Sequence, residues 1–212
     1  MPTTAHRSQP RQTNARPWKL LDCLPAQGEW SEDDYLALDS LTEESRTIEL
    51  SDGTLEFLPP STKTHQLIVA FLFEALRAFT KGKKIGEVYF SGRRIKLGNL
   101  QIRYPDIVFV AQEHVNRSEE QYVIIPDMVM EVVSSGKKDR DRDYQEKLCL
   151  YAHAGILEYW IIDPKTGVIQ VLVLQGKEYM PHGKYRKGQQ AGSYVLDGFE
   201  VDVSEVLAGA KM

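Results

Sequence analysis

Two carboxylates and one lysine carry the chemistry that this sequence offers. Asp106 stands after Arg103-Tyr104-Pro105 and opens an apolar run, Ile107-Val108-Phe109-Val110. Glu131 lies inside a second run, Met128-Val129-Met130-Glu131-Val132-Val133, too apolar for a strand with one face in water. A carboxylate held there must be paired, protonated or bound to a cation, because an isolated buried charge is prohibitive. Neighbouring strands lie about 5 Å apart, so acids on adjacent strands can converge on one divalent cation, and oxygen donors suit Mg2+ or Mn2+. Lys147 shares the apolar stripe of a following helix with Tyr144, Leu148 and Tyr151. Its ammonium either reaches past the helix edge to water or meets an acid beneath the helix. For a lone lysine the first is the ordinary arrangement, and Glu131, in the strand that feeds this helix, is the acid that brings the second into play. Two acids and an ammonium form a constellation suited to metal-dependent phosphodiester chemistry.

The elements that must position these groups can be read in order. Ser31, followed three residues later by Asp34, marks a helix start with an acidic first turn. Thr47-Ile48-Glu49-Leu50 and Thr54-Leu55-Glu56-Phe57-Leu58 flank Asp52-Gly53, which supplies the positive φ angles of a tight hairpin turn. Pro59-Pro60-Ser61-Thr62 ends the hairpin and offers a cap for a helix over 63–79, where Ile68, Phe71, Leu72, Ala75 and Phe79 define a buried stripe. His65 lies in its first turn on roughly that side. A histidine beside a core is ordinarily structural, and contact with a metal or phosphate is the alternative. Short strands are expected over 86–90, 92–97 and 103–110, a polar connection over 112–121, and strands over 122–125 and 128–133. A second helix is expected over 137–154, stopped by Gly155. Strands over 158–162 and 168–174 are joined by a turn that Asp163 shapes, and short antiparallel strands around Tyr185, 194–196 and 199–203 precede a last helical turn at Val206-Leu207. Helices are too few for a doubly wound or barrel fold. The expected class is mixed α/β, a mixed central sheet flanked by two main helices, with an N-terminal hairpin and C-terminal antiparallel strands.

Bulk properties narrow the setting. The chain of 212 residues, 42% hydrophobic, suits one domain over 18–212 behind a basic, disordered tail over 1–17. Every apolar run is interrupted by a charge, and the opening residues hold no apolar block like that of a secretory signal. With only Cys23 and Cys149, a disulfide framework or clustered zinc site is not indicated, and a reducing, cytoplasmic compartment is expected. The net charge of −4 does not mark a strongly basic nucleic-acid binder. Basic clusters at 81–84, 93–96, 137–142 and 184–187 read as solvated surface before they read as a DNA patch. The glycines form no phosphate-cradling pattern. Cys149 is off the lysine stripe and has no nucleophile's partners, whereas Tyr151, Tyr159 and Trp160 read as core.

Pro105-Asp106 followed by Glu131-Val132-Val133 and then a helix resembles the PD-(D/E)XK nuclease superfamily, with its restriction-endonuclease-like core. Val133 stands where that motif has its lysine. Glu131-Val132-Val133-Ser134, Asp143 and Lys147 with Tyr151, Gly155, and Glu158-Tyr159-Trp160-Ile161-Ile162-Asp163-Pro164 are similar to the Uma-two family of endonucleases, as are Ile48-Glu49-Leu50-Ser51-Asp52-Gly53, Pro59-Pro60-Ser61 and His65-Gln66. There the motif lysine has moved to the following helix, which matches Lys147. The resemblance spans roughly 30–206 and implies a Mg2+-dependent enzyme, Mn2+ being the alternative ion, that cuts DNA; a homodimer is an expectation only, because two cuts on two strands are conveniently made by a symmetric pair. It implies that Asp106 and Glu131 hold the metal with the Val132 carbonyl as a further ligand. Lys147 would assist the attacking water, and Glu49 would be an additional acid serving water or a second ion. Asp143 reads as a helix-edge hydrogen-bonding partner or, less simply, a ligand. The alternatives are an inactive DNA- or protein-binding module on the same fold, or an accessory protein of toxin–antitoxin type.

Overall fold

A computed structural model describes residues 24–41, 47–90, 92–134, 136, 140 and 142–208. The tail expected over 1–17, together with Cys23, lies outside these residues. In chain order the elements are α1 (Glu32–Leu41), β1 (Ile48–Ser51), β2 (Thr54–Phe57), α2 (Lys63–Lys83), β3 (Gly86–Phe90), β4 (Ile95–Gly98), β5 (Gln101–Arg103), β6 (Ile107–Ala111), a 3-10 turn (Gln112–Arg117), β7 (Val123–Ile124), β8 (Met128–Val132), a π turn (Arg142–Glu146), α3 (Lys147–Ala154), β9 (Glu158–Asp163), β10 (Val168–Gln175), β11 (Glu178–Arg186), β12 (Gln190–Gly192), β13 (Glu200–Asp202) and α4 (Val203–Ala208).

Local chemistry explains the starts and turns. The Asp34 N–H donates to Ser31 Oγ at 3.1 Å and the Ser31 N–H to Asp34 Oδ2 at 3.3 Å, a reciprocal cap for α1. Asp52 and Gly53 have φ of 47° and 76°, the left-handed pair that a two-residue hairpin turn requires. A Cβ on Gly53 would lie 2.6 Å from the Gly28 carbonyl oxygen, so the turn also depends on close packing. Thr62 Oγ1 accepts the His65 N–H at 3.2 Å and opens α2.

The central sheet has the order β11-β10-β9-β8-β6-β3; β8 and β9 run parallel and the other neighbours antiparallel. Alternation sends Met128, Met130 and Val132 to one face, where they pack with Ile68, Leu72 and Leu76 of α2. Val129 and Val133 go to the other face, with Tyr151 and Ala152 of α3. This mixed sheet between two helices is the expected architecture. The hairpin, however, is part of a second sheet of order β2-β1-β5-β4-β7. α1 covers its outer face, packing Tyr35 against Ile48, Leu50 and Ile102. Ile95 and Leu97 on its inner face join the cluster that holds α3. The lysine helix is therefore packed against both sheets.

Several expected boundaries are corrected. The run over 103–110 is not one strand: β5 and β6 belong to different sheets, and Tyr104-Pro105-Asp106 is the crossing between them. Proline lacks the N–H that would continue a ladder, so the chain is free to leave one sheet there. The strand expected over 92–97 begins only at Ile95. The second helix is regular only over Lys147–Ala154 and follows the π turn; residues 137–139 and 141 lie outside the described residues. Residues 194–196 form a turn rather than a strand, held by buried Glu158, whose Oε2 accepts N–H groups from Tyr194 at 2.8 Å and Val195 at 2.6 Å. β11 is a nine-residue edge strand, and with one face in water it lacks the apolar run that would reveal it.

Candidate active site

Glu131 faces α3 because side chains alternate along β8 and its neighbours Met130 and Val132 point to α2. Lys147 and Tyr151, one helical turn apart, both reach it: Lys147 Nζ is 2.8 Å and the Tyr151 hydroxyl 2.7 Å from Glu131 Oε1. Asp106 stands one residue before β6. Its Oδ2 accepts the Val132 N–H at 2.8 Å and lies 3.0 Å from His65 Nε2. The N–H and C=O of one strand residue leave on the same edge, so the Val132 carbonyl lies on the edge of β8 that Asp106 approaches. Asp106, Glu131, Val132, Lys147, His65, Asp143 and Arg142 line one cleft of about 120 Å³. The sequence's two acids and its lysine meet there.

Glu49 arrives from the second sheet and lies behind the ammonium. Its Oε1 is 4.0 Å from Lys147 Nζ and accepts the Tyr104 N–H at 2.9 Å, while Arg103 Nε stands 3.7 Å from Oε2. It is fully buried, facing the ammonium from the interior. Asp143, on the π turn, puts Oδ1 3.6 Å from Lys147 Nζ. The Tyr159 hydroxyl donates to the Asp143 carbonyl at 3.0 Å, which ties that turn to the central sheet. Three carboxylates thus approach one ammonium. Among the described residues, Glu49 Oε2 and Asp143 Oδ1 are buried without a hydrogen-bond partner.

This excess of negative charge governs the protonation equilibria. Burial, reinforced by the charges of Asp106 and Asp143, pushes Glu131 up to about 8 despite the opposing pull of Lys147. Burial also raises Asp143, with Lys147 and Arg142 opposing. Burial disfavours charged Lys147, but Glu131, Glu49 and Asp143 outweigh it and hold the ammonium above its ordinary value. For His65, burial is likewise outweighed by the hydrogen bond and charge of Asp106, and the net shift is upward.

A group whose pKa is higher in the folded than in the unfolded protein stabilises fully below its unfolded value and loses that stabilisation as pH rises through its folded value. Glu131, Asp143 and His65 all have this sign. In a chelator, stability should fall by on the order of a few kcal/mol between about pH 5 and pH 9. Urea unfolding at both pH values measures it, and a higher stability at pH 9 would contradict the shifts.

Among the described residues, no three His, Cys, Asp or Glu side chains form a ready-made metal cage. The donor chemistry nevertheless fits a hard cation: three carboxylates, Asp106, Glu131 and Asp143, line the cleft, a buried Asp143 oxygen lacks a hydrogen-bond partner among the described residues, and Mg2+ commonly takes one or two carboxylates and keeps several waters.

The profile of the Uma2 family, described as "Putative restriction endonuclease", matches residues 32–204. The chain belongs to the Uma2 family. The Uma2 chain also superposes on a crystal structure described as "a putative nuclease belonging to DUF820" from Anabaena variabilis ATCC 29413, with a TM-score of 0.68 and 16% identity, over 88% of this chain and 99% of that one. At that identity the likeness establishes the shared restriction-endonuclease-like fold. No curated protein matches the chain. His65, Asp143 and Tyr151 also contact the acids and the lysine of this cleft, at Asp106, Lys147 and Glu131 respectively. Spacing put His65 and Tyr151 on the correct helix faces, but their partners Asp106 and Glu131 come from distant strands. Tyr151 is core, as expected, yet its hydroxyl is also part of the site.

Proposed function

We propose that the chain is a Mg2+-dependent endonuclease, with Mn2+ able to substitute, that hydrolyses phosphodiester bonds in DNA. The observation that carries this reading is the single cleft shared by Asp106, Glu131 and Lys147. Asp106 and Glu131 would hold the cation, with the Val132 carbonyl as a further donor. A bound cation supplies charge neutralisation at the phosphoryl oxygens and acidifies water. His65 and the Val132 N–H fix the orientation of Asp106, and Tyr151 fixes Glu131. The Lys147 ammonium orients the attacking water and stabilises the charge that develops at phosphorus. Attack in line forms one new P–O bond and breaks one bridging P–O bond, and a proton from the water ends on the leaving oxygen. A symmetric pair of chains would supply the two cuts of a duplex break.

No helix among the described residues is long and apolar enough to cross a membrane. A reducing, cytoplasmic setting suits the free, exposed thiol of Cys149. A second reading, an inactive DNA-binding module, draws on Glu131 Oε1 being already engaged by Lys147 and Tyr151. Plasmid DNA incubated with the protein separates the two. Nicking with Mg2+ or Mn2+ is expected, abolished by chelator and reduced at least a hundredfold by Asp106→Asn, on the order of what loss of one charge-stabilising group costs. Salt-sensitive binding without cleavage would favour the module.

A further inference from the structure

Lys147 carries three N–H donors but makes one short contact, to Glu131. Asp143 Oδ1 at 3.6 Å and Glu49 Oε1 at 4.0 Å lie beyond hydrogen-bonding distance on its other sides. An ammonium this buried, with a single partner and two further carboxylates just out of reach, is poised between two arrangements. Among the described residues, neither Oδ1 of buried Asp143 nor Oε2 of fully buried Glu49 has a hydrogen-bond partner. The partners flanking these acids are guanidinium groups at salt-bridge rather than hydrogen-bond range: Arg142 Nε 3.8 Å from Asp143 Oδ1, and Arg103 Nε 3.7 Å from Glu49 Oε2.

We infer that Glu49 and Asp143 are positioning residues that receive the Lys147 ammonium when Glu131 is engaged by a divalent cation. The inference rests on the proposed nuclease reading and deepens it. In the metal-free protein Lys147 neutralises Glu131 and so competes with a cation for that carboxylate. Once Glu131 is neutralised from the cleft side, its hold on Lys147 weakens. From 3.6 Å and 4.0 Å, a shift of under about 1 Å toward either acid brings Nζ within hydrogen-bonding range of Asp143 Oδ1 or of Glu49 Oε1. Nearby carboxylates that never touch the cation thereby favour its binding, because they take the charge it displaces. Lys147 ends fixed from behind with its remaining donor free for the phosphate.

The test is a double-mutant cycle read by calorimetric titration of the full chain with Mn2+ alone, without DNA. Glu49→Gln with Asp143→Asn is expected to weaken Mn2+ binding at least tenfold when Lys147 is present. In the Lys147→Met background the same pair should cost less than threefold, since no ammonium needs a receiver. Equal losses in both backgrounds would mean simple through-space attraction or direct ligation by Asp143, and would overturn the inference; so would no loss in either. If the double variant does not fold, each single variant carries the test, with a loss of threefold or more that vanishes with Lys147→Met. Failure of the wild type to bind Mn2+ removes the nuclease reading and this inference together, whereas binding with equal losses removes only the inference.

Discussion

Glu131→Gln is expected to lower metal-dependent cleavage by about three orders of magnitude, on the order of 4 kcal/mol of transition-state stabilisation. The substitution removes the charge that would hold the cation while keeping the shape of the site. The amide oxygen can still accept from Tyr151 and Lys147, which now bond to Glu131 Oε1 at 2.7 Å and 2.8 Å. The variant should therefore fold and be no less stable than the wild type in chelator, because a carboxylate that burial and its neighbours hold at about 8 has been replaced by a neutral group. Nicking rates over a Mg2+ and Mn2+ series, with urea unfolding in parallel, distinguish loss of chemistry from loss of structure. Cleavage within tenfold of wild type by a folded variant would show that Glu131 does not hold the ion.

Lys147→Ala should have the opposite character, a large loss of stability as well as of activity. Its ammonium is the short-range partner of Glu131 and the nearest cation to both Glu131 and Asp143. Removing one member of a buried ion pair leaves uncompensated charge, which costs about 3–5 kcal/mol. For a chain of this size that corresponds to a fall in Tm of roughly 6–20 °C. The sign of the pH dependence is set by the carboxylates left behind. Protonation relieves their repulsion, so the deficit should be largest near pH 8 and shrink toward pH 5. Mg2+ should restore part of it, because a ligand that binds only the folded state stabilises by mass action. Thermal melts with chelator and with Mg2+ at both pH values make the comparison. A variant as stable as the wild type throughout would mean that Lys147 does not neutralise this cluster.

Both expectations depend on contacts between residues far apart in the chain, and they mark where sequence reasoning stops. The alternation of apolar residues around Glu131, the helical stripe of Lys147 and Tyr151, the Asp52-Gly53 turn and the Thr62 cap are local patterns, each with a local physical cause. They were sufficient for most strand and helix types, for the mixed sheet between two helices, and for naming Asp106, Glu131 and Lys147 as candidates, which the structure brings to one cleft. Pro105 was legible as a fixed point in the backbone, but not as a crossing between two sheets. That depends on β5 pairing with β1 and β4 while β6 pairs with β3 and β8.

What the sequence alone determined is therefore a set of candidate groups and the faces of the elements that carry them, because period and propensity are properties of neighbours in the chain. Tertiary structure alone decided that Glu49 and Asp143 crowd the ammonium, that His65 and the Val132 N–H hold Asp106, and that α3 packs against two sheets. Those are long-range arrangements. They are chosen by the burial of whole faces and by the charge balance of a shared interior, and no local window of residues contains either quantity.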